Sequence, residues 1–221
     1  VRKIMFSFFK KKKVSVRSVT VPNFGWKLLR SEPGIIQWLH PDQTMAISVN
    51  FFNIPPDLPT MKNVKLLRNF YRHMVAGANG GLVQVDLIRI NDMPMLKTIF
   101  KIPQGDEGVK YFASLTMAFE TCSFVIKIET GPMPNNGMRE ALAADYLMKG
   151  GVDFDTLQQE WSADPYDKDF KEGLLMNKSE QEVIDALFPA HFLSQVRTLI
   201  AQVEMEMKWG DEVDKLKLFD N

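Results

Sequence analysis

Three consecutive stretches decide the fold: MAISVNFF (residues 45–52), IPPDLPT (residues 54–60) and MKNVKLLRNFYRHMVA (residues 61–76). The first has the composition of a β-strand. The second carries three prolines, which lack amide donors, so it ends the strand and predicts an extended connection. The third repeats apolar residues at helical spacing and predicts an amphipathic helix.

The predicted helix has an apolar side and a basic side. The apolar side consists of Val64, Leu67, Phe70, Tyr71 and Met74. The basic side consists of Lys62, Lys65, Arg68 and Arg72. Thr60 can cap the first turn through its side-chain oxygen. Gly77, Gly80 and Gly81 end the helix, and no Lys-Ser/Thr pair of a phosphate loop follows them. We therefore expect a helix that lies on a sheet.

Strands on either side complete that sheet. Trp26–Leu29 and Ile35–Leu39 flank the turn pair Pro33-Gly34 and predict a hairpin. Four further strands are predicted after the helix, at Leu82–Ile90, Met95–Ile102, Val109–Phe119 and Ser123–Ile128. The sequence thus predicts an α+β fold: an antiparallel sheet of about seven strands, in the order βββαββββ, packed by helices and followed by a C-terminal helical extension.

Further helices are predicted in the C-terminal part. Met138–Met148 reads as a short helix with Leu142 and Leu147 inward. The Ser-x-x-Glu spacing that begins at Ser179 is a helix start, and Pro189 interrupts that helix. The second segment has an apolar face made of Phe192, Val196, Leu199, Ile200 and Val203.

The charges divide the chain into unlike halves. Residues 1–110 hold 17 Lys and Arg against 7 Asp and Glu, and residues 111–221 hold 10 against 20. The halves can attract each other, or offer a partner a basic and an acidic face. We expect a basic N-terminal tail (1–22), a sheet domain (23–150), and an acidic excursion with C-terminal helices packed on the same domain (151–221).

Composition excludes several protein classes. With 45% hydrophobic and 24% charged residues, the 221-residue chain is neither disordered nor fibrous. No run approaches the roughly 18 apolar residues of a membrane-spanning helix. Its single cysteine, Cys122, excludes an intrachain disulfide and fits a reducing cytoplasm. We expect Cys122 to be a buried, inert thiol.

The N-terminal stretch has the wrong order for a secretory signal, because its aromatic residues precede its lysines. Phe6, Phe8 and Phe9 beside the lysine run 10–13 predict a weak contact with an anionic membrane, with a soluble tail as the alternative. Nucleic acid is a poor fit, since the acidic half would repel it and no reader motif occurs.

No motif predicts catalytic, cofactor-binding or metal-binding residues. His40-Pro41-Asp42 has the letters of the J-domain loop but follows a strand, so a turn is the better interpretation. The three histidines lack metal-ligand spacing. Serine-hydrolase, dinucleotide and kinase signatures are also absent from the sequence.

The residues that we predict to bind a partner are charged clusters and adaptable methionines. They are Lys10, Lys11, Lys12, Lys13, Met93, Met95, Asp164, Asp167 and Asp169. Methionine side chains adapt to apolar partners, although ordinary core filling is the alternative for them. The three aspartates lack the glycine and the closing glutamate of a calcium loop.

The strand order between Trp26 and Ile128 resembles that of the DcrB/PsbP-like family. Trp26 and Trp38 near the first strands, the helix Met61–Ala76 and the closing helix suit that family. Phe188–Arg197 is similar to an ending found in uncharacterised bacterial proteins. Members of the family are mostly non-catalytic binding proteins, including chaperones for secreted toxins, and they share no catalytic residues.

We expect a non-catalytic binding or adaptor protein of the bacterial cytoplasm that holds a protein partner, because a well-patterned core occurs here without catalytic motifs. Such a protein can be a chaperone for a secreted protein. The alternative is a hydrolase-type enzyme whose site is assembled from distant segments, using His40 or His191 with nearby acids.

Overall fold

The computed structural model describes residues 13–134 and 137–219. In chain order the strands are β1 (Val19–Thr20), β2 (Lys27–Glu32), β3 (Ile35–Leu39), β4 (Met45–Phe52), β5 (Gly81–Ile90), β6 (Met93–Pro103), β7 (Val109–Ala118), β8 (Ser123–Thr130), β9 (Ser162–Ala163), β10 (Met176–Asn177) and β11 (Lys208–Trp209). The helices are α1 (Val64–Gly77), α2 (Met138–Lys149), α3 (Phe154–Gln159), α4 (Phe192–Glu206) and α5 (Asp211–Asp214). Short 3-10 turns lie at Val16–Ser18, Lys178–Glu180 and Glu182–Ile184.

Seven strands form one antiparallel sheet in the order β2-β3-β4-β8-β7-β6-β5. This confirms the predicted α+β class and the order βββαββββ. The proline-rich connection between β4 and α1 contains neither helix nor strand, as the missing amide donors require. No described helix is long and apolar enough to cross a membrane.

The sheet buries a different core on each face. On one face, Ile47, Leu115 and Ile126 belong to the main core together with Val196 and Ile200 of α4. On the other face α1 packs on β5, where a smaller core contains Leu67, Leu82, Val85 and Leu96.

The two edges of the sheet differ. At β5, the Tyr166 hydroxyl accepts from the Val85 amide at 2.7 Å, and the Leu174 amide donates to the Gly80 carbonyl at 2.8 Å. The chain passes so close that a Cβ on Gly81 would lie 1.6 Å from the Leu174 carbonyl oxygen. At β2, all six residues are exposed. One edge is therefore covered, and the other is open along its length.

The N-terminal and C-terminal parts of the described chain meet. β1 pairs with β11, with Val19 opposite Trp209. Val16 and Val19 are buried in the main core, although we assigned both to the basic tail. The folded part of the chain therefore begins before residue 22, because these valines pack under the sheet.

Three features of α1 differ from the prediction. Its N-cap is Asn63, whose side chain accepts from the Lys65 amide, whereas the Thr60 hydroxyl accepts from the Lys62 amide before the helix begins. On the predicted basic side, Arg72 is buried. On the predicted apolar side, Met74 is 48% exposed.

The C-terminal helices also differ in detail. In α2 the buried residues are Arg139 and Ala143, whereas Leu142 is exposed. Ser179 lies in a 3-10 turn whose cap is Asn177, so the predicted capping box at Ser179 was wrong. The long helix begins after His191, and it buries Leu193, Ser194, Val196, Ile200 and Val203.

Candidate functional site

The structure separates the residues that we predicted to bind a partner. Lys10, Lys11 and Lys12 lie outside the described residues, as does the predicted membrane contact, and Lys13 is exposed. The two methionines are buried, with Met95 fully enclosed in the main core. Core filling therefore explains Met93 and Met95, which present no surface to a partner.

The acidic cluster is divided between a structural and an exposed position. Asp164 is buried and accepts from Arg72 at 2.8 Å, and the partly exposed Asp167 accepts from the same guanidinium at 3.0 Å. Asp169 is exposed. The first two aspartates fasten the acidic excursion to α1, so of these three only Asp169 has a side chain free of this ion cluster.

A buried polar cluster joins the sheet to the turn before α4. The carboxylate of Glu180 accepts from Lys101 Nζ at 2.6 Å, from the Tyr111 hydroxyl at 2.9 Å and from the Asn177 amide at 2.9 Å. Burial and the Glu180 carboxylate raise the pKa of Tyr111 well above its ordinary value. A cavity of about 90 Å³ lies beside this cluster. The charged groups of this cluster are paired with one another, as expected for buried groups that hold two segments of a protein together.

Arg139 of α2 forms the second half of this cluster. Its guanidinium donates to the Ser179 carbonyl at 2.7 Å, to the Ser194 hydroxyl at 2.6 Å and to Asp185 at 2.6 Å. Arg197 donates to the same Asp185 carboxylate at 3.0 Å. The pattern of apolar residues could not reveal this burial, because the partners of Arg139 lie 40 or more positions away in sequence.

His191 is half-buried at the start of α4. Its Nδ1 accepts from the Leu193 amide at 3.1 Å and caps the helix. Burial lowers the pKa of His191 to about 4, with a further contribution from the Arg139 charge. The ring is therefore neutral near pH 7, and its Nδ1 is used by the cap.

An open groove with a volume of about 460 Å³ lies between the β3–β4 turn and α4. Its lining combines apolar walls with polar groups, and consists of Trp26, His40, Asp42, Thr44, Met45, Pro189, Phe192, Gln195, Thr198 and Leu199. Binding sites of this size usually have apolar walls and a few convergent polar groups. We call this site the α4 groove.

The polar end of the α4 groove is the turn that we predicted at His40-Pro41-Asp42. The Asp42 carboxylate accepts from the Thr44 amide at 2.9 Å and from the Thr44 hydroxyl at 2.5 Å. These two bonds, with His40 as a smaller contribution, lower the pKa of Asp42 to about 2. The His40 Nδ1 lies against the Asp42 carboxylate and 3.3 Å from the Asp42 amide nitrogen. In a neutral ring with the proton on Nδ1, Nε2 would be the basic nitrogen.

This turn has part of a hydrolase arrangement. A histidine oriented by a carboxylate is the base of a catalytic triad. The hydroxyl that lies nearby belongs to Thr44, and it donates to Asp42 instead of His40. The lining of the groove contains neither serine nor cysteine, and the hydroxyls of Thr44 and Thr198 donate to Asp42 and to the Ser194 carbonyl. With these hydroxyls turned away from His40, a water molecule is the better candidate for the nucleophile.

The remaining reactive side chains are accounted for structurally. Cys122 is buried, as predicted, and burial raises the pKa of its thiol, which disfavours the reactive thiolate. His73 Nδ1 lies 2.8 Å from the Asn69 carbonyl oxygen on α1. Within residues 13–134 and 137–219, no three His, Cys, Asp or Glu side chains are grouped so that they could hold a metal ion.

Sequence reasoning missed the α4 groove because its two walls come from segments about 150 positions apart. Trp26 and the turn at His40 form one wall, and Phe192 and Leu199 form the other. The available signals were the tryptophan beside the first hairpin and the partly exposed apolar positions on α4. Neither signal indicates which segment packs opposite.

Comparisons with known proteins find resemblance in fold alone. No family model and no curated protein matches the chain. Among solved structures, the cyanobacterial PsbP (CyanoP) of Synechocystis sp. PCC 6803 is 12% identical with a TM-score of 0.38, covering 61% of this chain and 84% of that one. The Ran-binding protein Mog1p of Saccharomyces cerevisiae is 13% identical with a TM-score of 0.37, covering 58% and 78%.

A Pseudomonas aeruginosa protein of unknown function is also similar, with 11% identity, a TM-score of 0.31, and coverage of 65% of this chain and 87% of that one. The weak fold-level resemblance to PsbP-like proteins that the strand order indicated is thus present. A likeness at this level carries no information on activity or partner.

Proposed function

We propose that this chain is a non-catalytic binding or adaptor protein that holds a protein partner in the α4 groove. The observation that carries the proposal is the groove itself, an open volume of about 460 Å³ with Trp26, Phe192 and Leu199 in its walls. Partly exposed apolar walls beside polar groups are typical of surfaces that accept an apolar side chain of a partner.

The groove is large enough for a substantial anchor. One aromatic side chain buries 150–250 Å² and contributes about 4–6 kcal/mol before the costs of association. Gln195 and Thr198 on α4, with His40 opposite, offer hydrogen bonds to the backbone of the bound segment. These features support recognition of an apolar residue within a polypeptide.

The cellular setting belongs to the same proposal. We place the protein in the bacterial cytoplasm, because its single cysteine excludes an intrachain disulfide and fits a reducing compartment. The more specific role that we propose is that of a chaperone for a secreted protein.

A site-specific crosslinking experiment tests the groove. A photoreactive residue replaces Thr198 in the full chain, and in a matched control it replaces Met205, which lies on the same helix outside the groove and is 78% exposed. In the cells that make the protein, we expect an adduct with a defined protein from position 198 and none from position 205. Equal labelling at both positions, or no adduct at 198, would contradict the proposal.

A second candidate function rests on the His40–Asp42 pair. A histidine held beside a carboxylate at the groove could activate water toward an ester or amide. We would then expect turnover of p-nitrophenyl acetate that is lost in His40→Gln, while crosslinking from position 198 persists. Absence of turnover above the rate of His40→Gln would eliminate the enzyme hypothesis.

A further inference from the structure

The α4 groove lies next to the open edge of the sheet. Trp26 lines the groove and directly precedes Lys27, the first residue of β2. A polypeptide bound in the groove can therefore continue along β2 without leaving the surface.

The edge at β2 offers backbone groups to such a polypeptide. All six of its residues are exposed, and Leu28 and Leu29 are 53% and 56% exposed. β2 is the end strand of the sheet and pairs with β3 on one side. An end strand presents N–H and C=O groups that a further strand can pair with.

The other edge shows how this fold closes an edge. Along β5, the Tyr166 hydroxyl and Arg68 Nε bond the backbone of Val85, with Arg68 Nε 3.0 Å from the carbonyl oxygen. No equivalent bonds from side chains to the β2 backbone occur among the described residues. Within the described residues, the two edges therefore differ in the bonds that side chains make to their backbones.

The charges around the open edge are mostly positive. Lys27 and Arg30 lie on β2, and the exposed Arg17 donates to the Ser31 hydroxyl at 3.2 Å. The single acid of β2, Glu32, accepts from Arg30 at 2.7 and 2.8 Å. The edge therefore suits an acidic strand by charge complementarity.

We propose that β2 receives an extended, acidic segment of the partner protein as an eighth strand, with an apolar side chain of that segment in the α4 groove. This inference rests on the proposed function for its groove contact, whereas the strand pairing is independent of it.

A second copy of the chain is a poorer occupant. Antiparallel pairing of two β2 strands about a two-fold axis beside residue 30 would place the two Arg30 side chains opposite each other. The register also shifts between Leu28 and Arg30, and an irregularity of this kind bends an edge away from indiscriminate pairing.

A designed peptide provides the probe. We use a fluorescein-labelled seven-residue peptide in which Glu and Val alternate, with Phe at one end, and measure its fluorescence anisotropy with the full chain. Two analogues carry N-methyl groups on alternate amides, either at the glutamates or at the valines. Because only one set of amides can face β2, one analogue should lose binding at least about ten-fold and the other should bind like the parent.

Protein variants test the charge and the groove separately. The double substitution Lys27→Glu and Arg30→Glu should weaken the acidic peptide at least about ten-fold, whereas Lys65→Glu, an exposed reversal on α1, should leave it within about two-fold. Thr198→Trp, which fills the groove, should weaken the peptide with Phe and not its Ala analogue.

The outcomes separate the two proposals. Equal binding of both N-methylated analogues, or no binding of the parent peptide at 1 mM, overturns strand addition at β2. If the N-methyl pattern holds but Thr198→Trp has no effect, the edge inference stands and the groove contact fails. A wild-type dimer in sedimentation that the peptide disperses would make a second copy the occupant and overturn the choice of an acidic partner.

Discussion

Glu180 shows how a single buried side chain fixes the C-terminal part on the sheet. Its carboxylate accepts hydrogen bonds from Lys101, Tyr111 and the Asn177 amide. The side chains of Lys101 and Glu180, which form an ion pair, are almost completely buried. Pairing of this kind contributes little net stability compared with apolar packing, but loss of one partner is costly. Such a cluster therefore specifies where the segment docks.

His191 gives the junction a dependence on pH. Its pKa is about 4 in the folded protein and about 6.5 as an unperturbed group, so the unfolded chain binds more protons between these values. The free energy of unfolding should therefore fall as the pH is lowered from 6.5 to 4, by about 1–2 kcal/mol after allowing for solvent screening of a half-buried ring.

The matched variant is His191→Asn, which keeps an oxygen acceptor at the cap of α4 and removes the titration. Urea unfolding at pH 7 and pH 4.5 should show a smaller loss for this variant than for the wild type. Equal losses would show that other groups set the acid sensitivity.

Individual buried charges mark the limit of what the sequence predicts at this scale. The helical pattern predicted that Arg72 would be exposed to solvent. It gave no indication of whether Arg139 would be exposed or buried. Their burial depends on Asp164 and Asp185, which the fold brings from far along the chain. Local periodicity contains no information on such partners.

At the scale of elements, the acidic excursion is attached to the sheet domain at defined points. Asp164 is 5% exposed and pairs with the buried Arg72, and Tyr166 bonds the edge of β5. A long acidic stretch is ordinarily a solvated face, yet here some of its acids hold it against α1.

Asp164→Ala should destabilise the protein by about 3–5 kcal/mol, because it leaves Arg72 as a buried charge with only the partly exposed Asp167. Asp169→Ala, an exposed neighbour, should change the free energy of unfolding by less than about 0.5 kcal/mol. Urea unfolding gives both values. The Val85 amide, which donates to Tyr166, should exchange its hydrogen faster in Asp164→Ala and not in Asp169→Ala. Unchanged exchange of this amide in Asp164→Ala would mean that the ion pair does not hold the excursion against β5.

The main elements could be predicted, some strands to their observed ends, whereas the start of the first helix could not. Strand composition located β4 at its observed bounds, and the prolines after it located the connection. The start of α1 was misplaced by three residues because Thr60 and Asn63 are both good caps, and the choice depends on where the backbone turns. The groove required knowledge of which face α4 covers, which no local pattern contains.

At the scale of the whole molecule, one core connects distant parts of the chain. The main core includes Val16, strand residues such as Ile126, and Ile200 and Val213 near the C-terminus. A core shared in this way predicts that the sheet and the C-terminal helices unfold together.

Ile200→Ala tests this cooperativity. Ile200 is fully buried, so the substitution should cost about 2–5 kcal/mol, whereas Met205→Ala on the same helix should cost less than about 0.5 kcal/mol. Tryptophan fluorescence and far-ultraviolet circular dichroism should report the same shifted midpoint in urea. Separate midpoints would show that the C-terminal helices form an independent unit. A single midpoint is the result expected if the sheet and these helices unfold together.

The covered β5 edge limits how far assembly can proceed. A sheet with two free sides can recruit molecule after molecule and grow into a fibre. Among the described residues, Tyr166 and Leu174 bond the β5 edge at Val85 and Gly80, and no such bond to the backbone lies on β2. A strand added at β2 therefore leaves the opposite side of the sheet closed at those two positions, so copies of this sheet cannot stack edge to edge through both sides.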